Sequence, residues 1–138
     1  MMKNKKNVEA KFKRFNLDVS KTKLWEDLAG DNKKMLLENC MLNLDEKPII
    51  VFQLKTYNWI LTNEHLIINK NGSFAYYPLA KIDGIKVPDF SITQASKQEF
   101  SLIEIVYQGE KIEISIEPGT WHAISNIFKF MVGGKGIV

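Results

Sequence analysis

The sequence has a single cysteine, Cys40, among its 138 residues. One cysteine excludes an internal disulfide framework and is typical of proteins in a reducing compartment. No apolar run approaches the about 18 residues of a membrane-spanning helix. The basic opening segment MMKNKKNVEAKFKRF is not followed by the apolar stretch of a secretory signal. These absences predict a soluble, cytoplasmic protein.

Groups suited to catalysis are also scarce. His65 and His122 are the only imidazoles, and no group of Cys, His and carboxylate residues has the spacing of metal ligands. The glycine-rich segment 133–136 lacks the preceding strand and the spacing of a phosphate-binding loop. Cys40 is interpreted as a buried, inert thiol on a helix. We therefore predict that the protein is not an enzyme, with no catalytic residue, no metal site and no cofactor.

The small net charge of +3 is unevenly distributed. Residues 1–14 have a local charge of +5, so the rest of the chain sums to −2. The basic side chains of this segment are Lys3, Lys5, Lys6, Lys11, Lys13 and Arg14. They are candidate contacts to an anionic lipid surface, where each cation contributes about 1 kcal/mol. The alternative is a solvated lysine face on a helix that packs through Val8, Phe12 and Phe15.

The first 44 residues lack strand-like alternation and are predicted to form a helical arm. Val8, Phe12 and Phe15 give its first helix one apolar face. Two further short helices are predicted, one over residues 20–30 and one that begins at Asp31 and continues through Leu44.

Strand-like patterns begin after residue 44. Seven strands are predicted, over residues 49–54, 57–62, 66–69, 73–77, 82–87, 100–107 and 111–117. Asn71-Gly72 is a strong hairpin turn, because both residue types tolerate positive φ. A last helix follows, with an apolar stripe formed by Trp121, Ile124, Ile127, Phe128 and Met131. A seven-stranded antiparallel sheet reduces its exposed edges by rolling into a partly open barrel, which this helix would cap.

Two segments of this region resemble the bacterial pleckstrin-homology-like (PH-like) family and its relative, the GRAM domain. They are WILTNEHLII (59–68) and YPLAKI (77–82). The resemblance covers about residues 45–132 and implies a mainly β fold with α, a barrel with its capping helix over residues 45–133. The helical arm over residues 1–44 lies outside the resemblance, and residues 134–138 are predicted to be a flexible tail. The residues expected to carry this framework are Thr62, Asn63, Leu66, Pro78, Leu79, Ile82, Trp121, Ile124 and Phe128. His65 stands where the family commonly has Arg.

Within that framework, Thr62 and Asn63 are interpreted as a turn at a corner of the barrel, and not as a binding site. The resemblance implies a non-catalytic module for a protein partner or for self-association. Specific phosphoinositide binding is not expected, because the first hairpin carries one lysine, Lys55. Nucleic acid is not expected either, because few aromatic residues are interleaved with the basic arm. The alternatives are peripheral membrane association through that arm, and a cytosolic inhibitor of the immunity type.

Overall fold

A computed structural model describes residues 5–14, 21–86, 102–118 and 120–132. The chain divides into two compact units, Met1–Pro78 and Leu79–Val138. Each unit contains one antiparallel sheet, of five strands in the first unit and three in the second.

The first unit begins with helix α1, Lys5–Arg14. Val8 and Phe12 are four residues apart, so they lie on one face, and both are buried. Lys11, Lys13 and Arg14 lie in the last turn, where cations interact favourably with the helix dipole. The helix contacts the strand Pro48–Gln53. The predicted Phe15 contact lies outside the described residues.

The five-stranded sheet has the order β1-β2-β3-β4-β5, in which sequence neighbours pair. Its strands are β1 (Thr22–Leu24), β2 (Pro48–Gln53), β3 (Tyr57–Thr62), β4 (His65–Lys70) and β5 (Ser73–Pro78). Asn71 and Gly72 turn the chain from β4 to β5 with φ of 52° and 90°. The predicted Asn-Gly hairpin is thus confirmed, with the positive φ at both positions that this turn requires.

Strand β1 corrects the prediction of a helix over residues 20–30. Thr22 pairs with Phe52 and Leu24 pairs with Ile50, and a short 3-10 turn, Trp25–Asp27, follows the strand. The spacing of Leu24 and Leu28 imitates a helix. Pairing with β2 fixes the extended form instead, and this contact is distant in sequence.

The third predicted helix is present but shorter than expected. Helix α2 spans Gly30–Leu37, so the prediction that it continues through Leu44 is wrong. Asn39 adopts a positive φ of 65° just after the helix, a conformation that asparagine tolerates better than most residues and that ends a helix. Met41 and Leu44 repeat at helical spacing, yet both are exposed.

An apolar cluster holds α2 against the five-stranded sheet. Its buried members are Trp25, Leu36, Val51, Ile60 and Ile67, and its partly buried members are Leu28, Leu37, Cys40, Leu42, Phe74 and Tyr76. Alternate residues of β2, β3 and β4 point to the same face of the sheet, which explains why Val51, Ile60 and Ile67 come together.

The second unit carries a three-stranded sheet of order β6-β7-β8. A 3-10 turn, Leu79–Lys81, precedes β6 (Ile82–Lys86), and β7 (Leu102–Tyr107) and β8 (Glu110–Ser115) form a hairpin. Gln108 and Gly109 adopt positive φ in its turn. All seven predicted strands are present as β2 to β8, and β1 is additional.

The last helix, α3, spans Trp121–Val132 and contacts β6, β7 and the 3-10 turn of its unit. Ile124, Ile127, Phe128 and Met131 are buried, and Trp121 is half-buried. The helical stripe predicted from the sequence therefore faces the core of this unit. The predicted tail, residues 134–138, lies outside the described residues. None of the described helices combines the length and apolar character needed to cross a membrane.

Candidate functional site

The segment that joins α2 to β2, residues 38–47, combines features that a connecting loop rarely has. We call it the strap. Met41 is 81% exposed and Leu44 is 96% exposed. Both residues belong to the first unit, and so do the residues that the strap contacts. A loop that offers two large apolar side chains to solvent needs a physical explanation, because burial of each would be worth about 1.5–3 kcal/mol.

Several hydrogen bonds tie the strap to strand β5 and to the turn between β3 and β4. The backbone N–H of Met41 donates to the Tyr76 hydroxyl (3.0 Å), and the Asn43 side-chain amide donates to Glu64 Oε1 (2.7 Å). The backbone N–H of Lys47 donates to Asn63 Oδ1 (2.8 Å). These bonds join residues 16 to 35 positions apart in sequence, so the sheet fixes the course of the strap.

Glu46 is the buried anchor of the strap, with 6% of the residue exposed. Its Oε2 atom accepts a hydrogen bond from Thr62 Oγ1 (2.5 Å) and lies 2.8 Å from His65 Nδ1. Its Oε1 atom accepts from the backbone N–H of Asn43 (3.0 Å). A buried carboxylate is costly unless it is hydrogen-bonded, and here both oxygens have partners.

These contacts also set the electrostatics of Glu46. Burial alone raises the pKa of its carboxyl, but the hydrogen bonds from Thr62, the Asn43 N–H and His65 outweigh that effect. The pKa of Glu46 therefore lies below its ordinary value. The carboxylate form is favoured because each of these bonds is made to the charged group.

Thr62 joins this anchor to the turn between β3 and β4. It is fully buried, and its hydroxyl oxygen accepts hydrogen bonds from the backbone N–H groups of Glu64 (3.0 Å) and His65 (2.8 Å). Thr62 closes the turn, as the sequence predicts, and it also donates to Glu46. The sequence interpretation did not include Glu46, whose burial depends on these distant partners.

One possible metal-ligand atom from each of Glu46, Glu64 and His65 lies within 4.8 Å of the other two. This is the one group of possible metal ligands among the described residues. His65 Nδ1 and Glu46 Oε2 already face each other at 2.8 Å, and Glu64 accepts from Asn43. A metal would have to displace these bonds. The arrangement fits a hydrogen-bonded anchor better than a cation site.

Leu42 and Cys40 fix the inner side of the strap by packing against the apolar cluster. Leu42 is half-buried, whereas Met41 before it and Leu44 two residues after it are exposed. Cys40 is half-buried and follows α2, so its predicted place on a helix is wrong. Burial raises the pKa of its thiol, with a smaller opposing effect from Tyr76, which disfavours the reactive thiolate.

The predicted anionic-surface contacts lie mostly on the outer faces of α1. Lys6, Lys13 and Arg14 are exposed and Lys11 is half-buried. Lys5 Nζ lies 2.8 Å from both Glu9 and Glu26. Lys3 lies outside the described residues. The assignment of these side chains to a membrane surface stays a prediction.

The predicted framework residues fall into two groups. Those in the first unit surround the β3–β4 turn and the end of β5: Thr62, Asn63, Leu66 and Pro78. Those in the second unit lie in the 3-10 turn, β6 and α3: Leu79, Ile82, Trp121, Ile124 and Phe128. His122 is exposed at the start of α3. The predicted division at residue 44 stays a prediction, although β1 lies before it and pairs with β2 after it.

No family model matches this sequence, and no curated protein matches it. Solved structures with a similar fold do match this chain. One is described as a DUF1696 family protein with a pleckstrin-homology domain from Shewanella loihica PV-4. It shares 13% identity at a TM-score of 0.57, and the match covers 83% of this chain and 99% of that one.

A second is described as a PH domain-containing bacterial protein from Exiguobacterium sibiricum 255-15. It shares 17% identity at a TM-score of 0.51, and the match covers 86% of this chain and 62% of that one. The relation to GRAM domains stays a prediction. The predicted fold class is confirmed: this chain has the mixed β and α fold of bacterial PH-domain proteins.

Proposed function

We propose that this protein is a non-catalytic module that binds a protein partner through the strap. The observation that carries the proposal is the exposure of Met41 and Leu44 on a loop that the sheet holds in place. Large apolar side chains exposed three residues apart on a fixed loop are candidates for an interaction site.

The fixed course of the strap favours binding, because a preorganised loop loses little conformational entropy when a partner docks. Methionine suits such a contact, since its flexible thioether adapts to irregular apolar pockets. Leu42, packed on the inner side, keeps the exposed pair turned outward. The anchor formed by Glu46 is therefore interpreted as a support for the contact surface, and not as a reacting group.

The charges beside the exposed pair define the partner further. Glu38 and Asp45 are both exposed on the strap, and Glu64 is half-buried beside it, against one exposed cation, Lys47. Within the strap itself, the two apolar side chains are thus accompanied by a small excess of exposed acidic groups. The matching partner surface is an apolar pocket with a basic rim, since charge complementarity guides association and excludes wrong partners. An inhibitor of a second protein would use the same surface.

A comparison of two double variants tests the proposal. In Met41→Ser/Leu44→Ser the apolar pair is removed, and in Met35→Ser/Leu102→Ser an exposed methionine and an exposed leucine outside the strap are removed. Each protein is used to capture partners from source cells, and its own association is followed by analytical ultracentrifugation. We expect one partner to co-purify with the wild type and the control, and to be lost with the strap variant.

The same protein must then bind in purified form, with an affinity that falls when salt is raised. Equal capture of the partner by both variants would show that the strap is not the binding surface. Loss of a dimer in the strap variant would identify the partner as a second copy of this chain. It would contradict a partner of a different sequence that has an apolar pocket with a basic rim.

Exposed Lys6, Lys13 and Arg14 favour a second candidate, attraction of α1 to anionic lipid. Because Val8 and Phe12 are buried in the unit, this attraction would be electrostatic and would not use the apolar face of the helix. Sedimentation with anionic vesicles tests it. Binding that persists at high salt, or in Lys6→Gln/Lys13→Gln/Arg14→Gln, would contradict it.

A further inference from the structure

A second surface of the first unit brings three lysines together. Lys21 and Lys23 lie on and beside β1, and Lys55 lies in the turn between β2 and β3. All three line one surface concavity of about 490 Å³, which we call the lysine concavity. Among the described residues that line it, none carries a carboxylate. From the sequence alone, Lys55 is the one lysine expected at this hairpin, because residues 20–30 are predicted to form a helix.

Strand pairing explains why the three lysines lie on one surface. Thr22 pairs with Phe52, and the Gln53 N–H donates to the Lys21 carbonyl (3.0 Å), so the ladder extends to Lys21. Thr22 is buried on one face of β1, which leaves Lys21 and Lys23 on the other. Side chains two residues apart on a strand are separated by about 6.8 Å.

The rest of the lining is fixed and mixed in character. Asn32 and Gln53 exchange two side-chain hydrogen bonds, of 2.9 and 3.0 Å, which lock both amides in place. Leu28 is half-buried and Leu54 is exposed at the edge of the concavity.

We propose that the lysine concavity binds an extended acidic peptide segment of a protein partner, in which every second residue is acidic. Carboxylates two residues apart in such a segment lie on one face and repeat at about the spacing of Lys21 and Lys23. A compact phosphate group would instead call for several donors converging on one point, whereas these lysines are spread along a strand and a turn.

The inference rests on the proposed function in taking a protein as the ligand, but it uses a different surface. The strap joins β2 at Pro48, and the concavity lies beside Gln53, at the other end of that strand. Five residue steps separate the two ends, about 17 Å. A variant that loses binding at the strap can therefore still be tested for binding at the lysine concavity, and the reverse also holds.

Fluorescence anisotropy with the full chain and a labelled peptide of alternating Glu and Ser tests the inference. We expect binding that weakens as salt rises, and that Lys21→Gln/Lys23→Gln/Lys55→Gln weakens about tenfold, since three partly exposed ion pairs are lost. The matched control, Lys70→Gln/Lys81→Gln/Lys111→Gln, removes the same charge from exposed positions elsewhere and should bind like the wild type. Met41→Ser/Leu44→Ser should also bind normally.

A peptide with Gln in place of Glu is the second control and should not bind. The inference is overturned if the acidic peptide fails to bind, if it binds both lysine variants equally, or if the Gln peptide binds as well. It is also overturned if inositol hexakisphosphate or phosphatidylglycerol vesicles bind through these lysines while the acidic peptide does not compete.

Discussion

The carboxylate of Glu46 and the hydroxyl of Thr62, 16 residues apart in sequence, form a buried hydrogen bond of 2.5 Å. This contact is one of several that connect the strap to the β3–β4 turn, and Thr62 also accepts hydrogen bonds from N–H groups within that turn. The position of the exposed pair, Met41 and Leu44, therefore depends on a residue of the sheet that neither of them needs to touch.

Thr62→Val tests this contact, because valine keeps the shape of the side chain and removes the hydroxyl. Glu46 then loses a donor to its charge, and two backbone N–H groups lose an acceptor. We expect the free energy of unfolding to fall by about 2–3 kcal/mol in urea denaturation. Thr62→Ser keeps the hydroxyl and should lose only about 1 kcal/mol, for one buried methyl group. Equal losses in the two variants would show that the hydroxyl contributes nothing.

Stability should also depend on pH through Glu46. Its folded-state pKa lies below the ordinary value, so its contribution to stability is complete above that ordinary value, about 4.3. The contribution is lost as pH falls through the folded-state pKa. We expect Glu46→Gln to be less stable than the wild type at neutral pH, and the difference in unfolding free energy to shrink below about pH 4. A difference that stays constant down to acid pH would contradict the ionised anchor.

Leu42 and Leu44 form a matched pair for the orientation of the strap. Leu42 packs on the apolar cluster and Leu44 is exposed. Leu42→Ala should lower the free energy of unfolding by about 1–2 kcal/mol, less than for a fully buried leucine. Leu44→Ala should stay within about 0.5 kcal/mol of the wild type. The reverse order, measured by urea denaturation, would mean that the strap faces the other way.

Two glycines separate backbone strain from side-chain space. An added Cβ meets nothing within 4 Å at either Gly109 or Gly30, but only Gly109 has a positive φ, of 83°. Gly109→Ala should therefore destabilise the protein by about 1–2 kcal/mol. Gly30→Ala, at the start of α2, should be neutral or stabilise by about 0.5 kcal/mol. Thermal unfolding of both variants measures the contrast, and a stabilising Gly109→Ala would contradict the turn geometry.

Local signals predicted most of the sheets, and distant contacts account for what they missed. Asn71-Gly72 encodes its own turn, and alternation marks β8, so both could be read from a few neighbouring residues. Strand β1 exists because β2 pairs with it. Glu46 looks like a solvent-exposed residue before Lys47, and only Thr62 and His65 make its burial tolerable.

The apolar spacing of Met41 and Leu44 predicted a helix because periodicity does not reveal whether a face meets a core or a partner. The same signal, taken with the end of α2 at Leu37, indicates the exposed surface that the proposal uses. The lysine concavity was missed for the same reason as β1, since Lys21 and Lys23 reach Lys55 only through strand pairing.

Photo-crosslinking in source cells tests the central claim most directly. A photoreactive amino acid is placed at Leu44 and, as the control, at Lys70, which is exposed on β4. We expect one discrete crosslinked protein from position 44, none from position 70, and loss of the product when Met41→Ser is added. No product from position 44, or the same products from both positions, would contradict the strap as the binding surface.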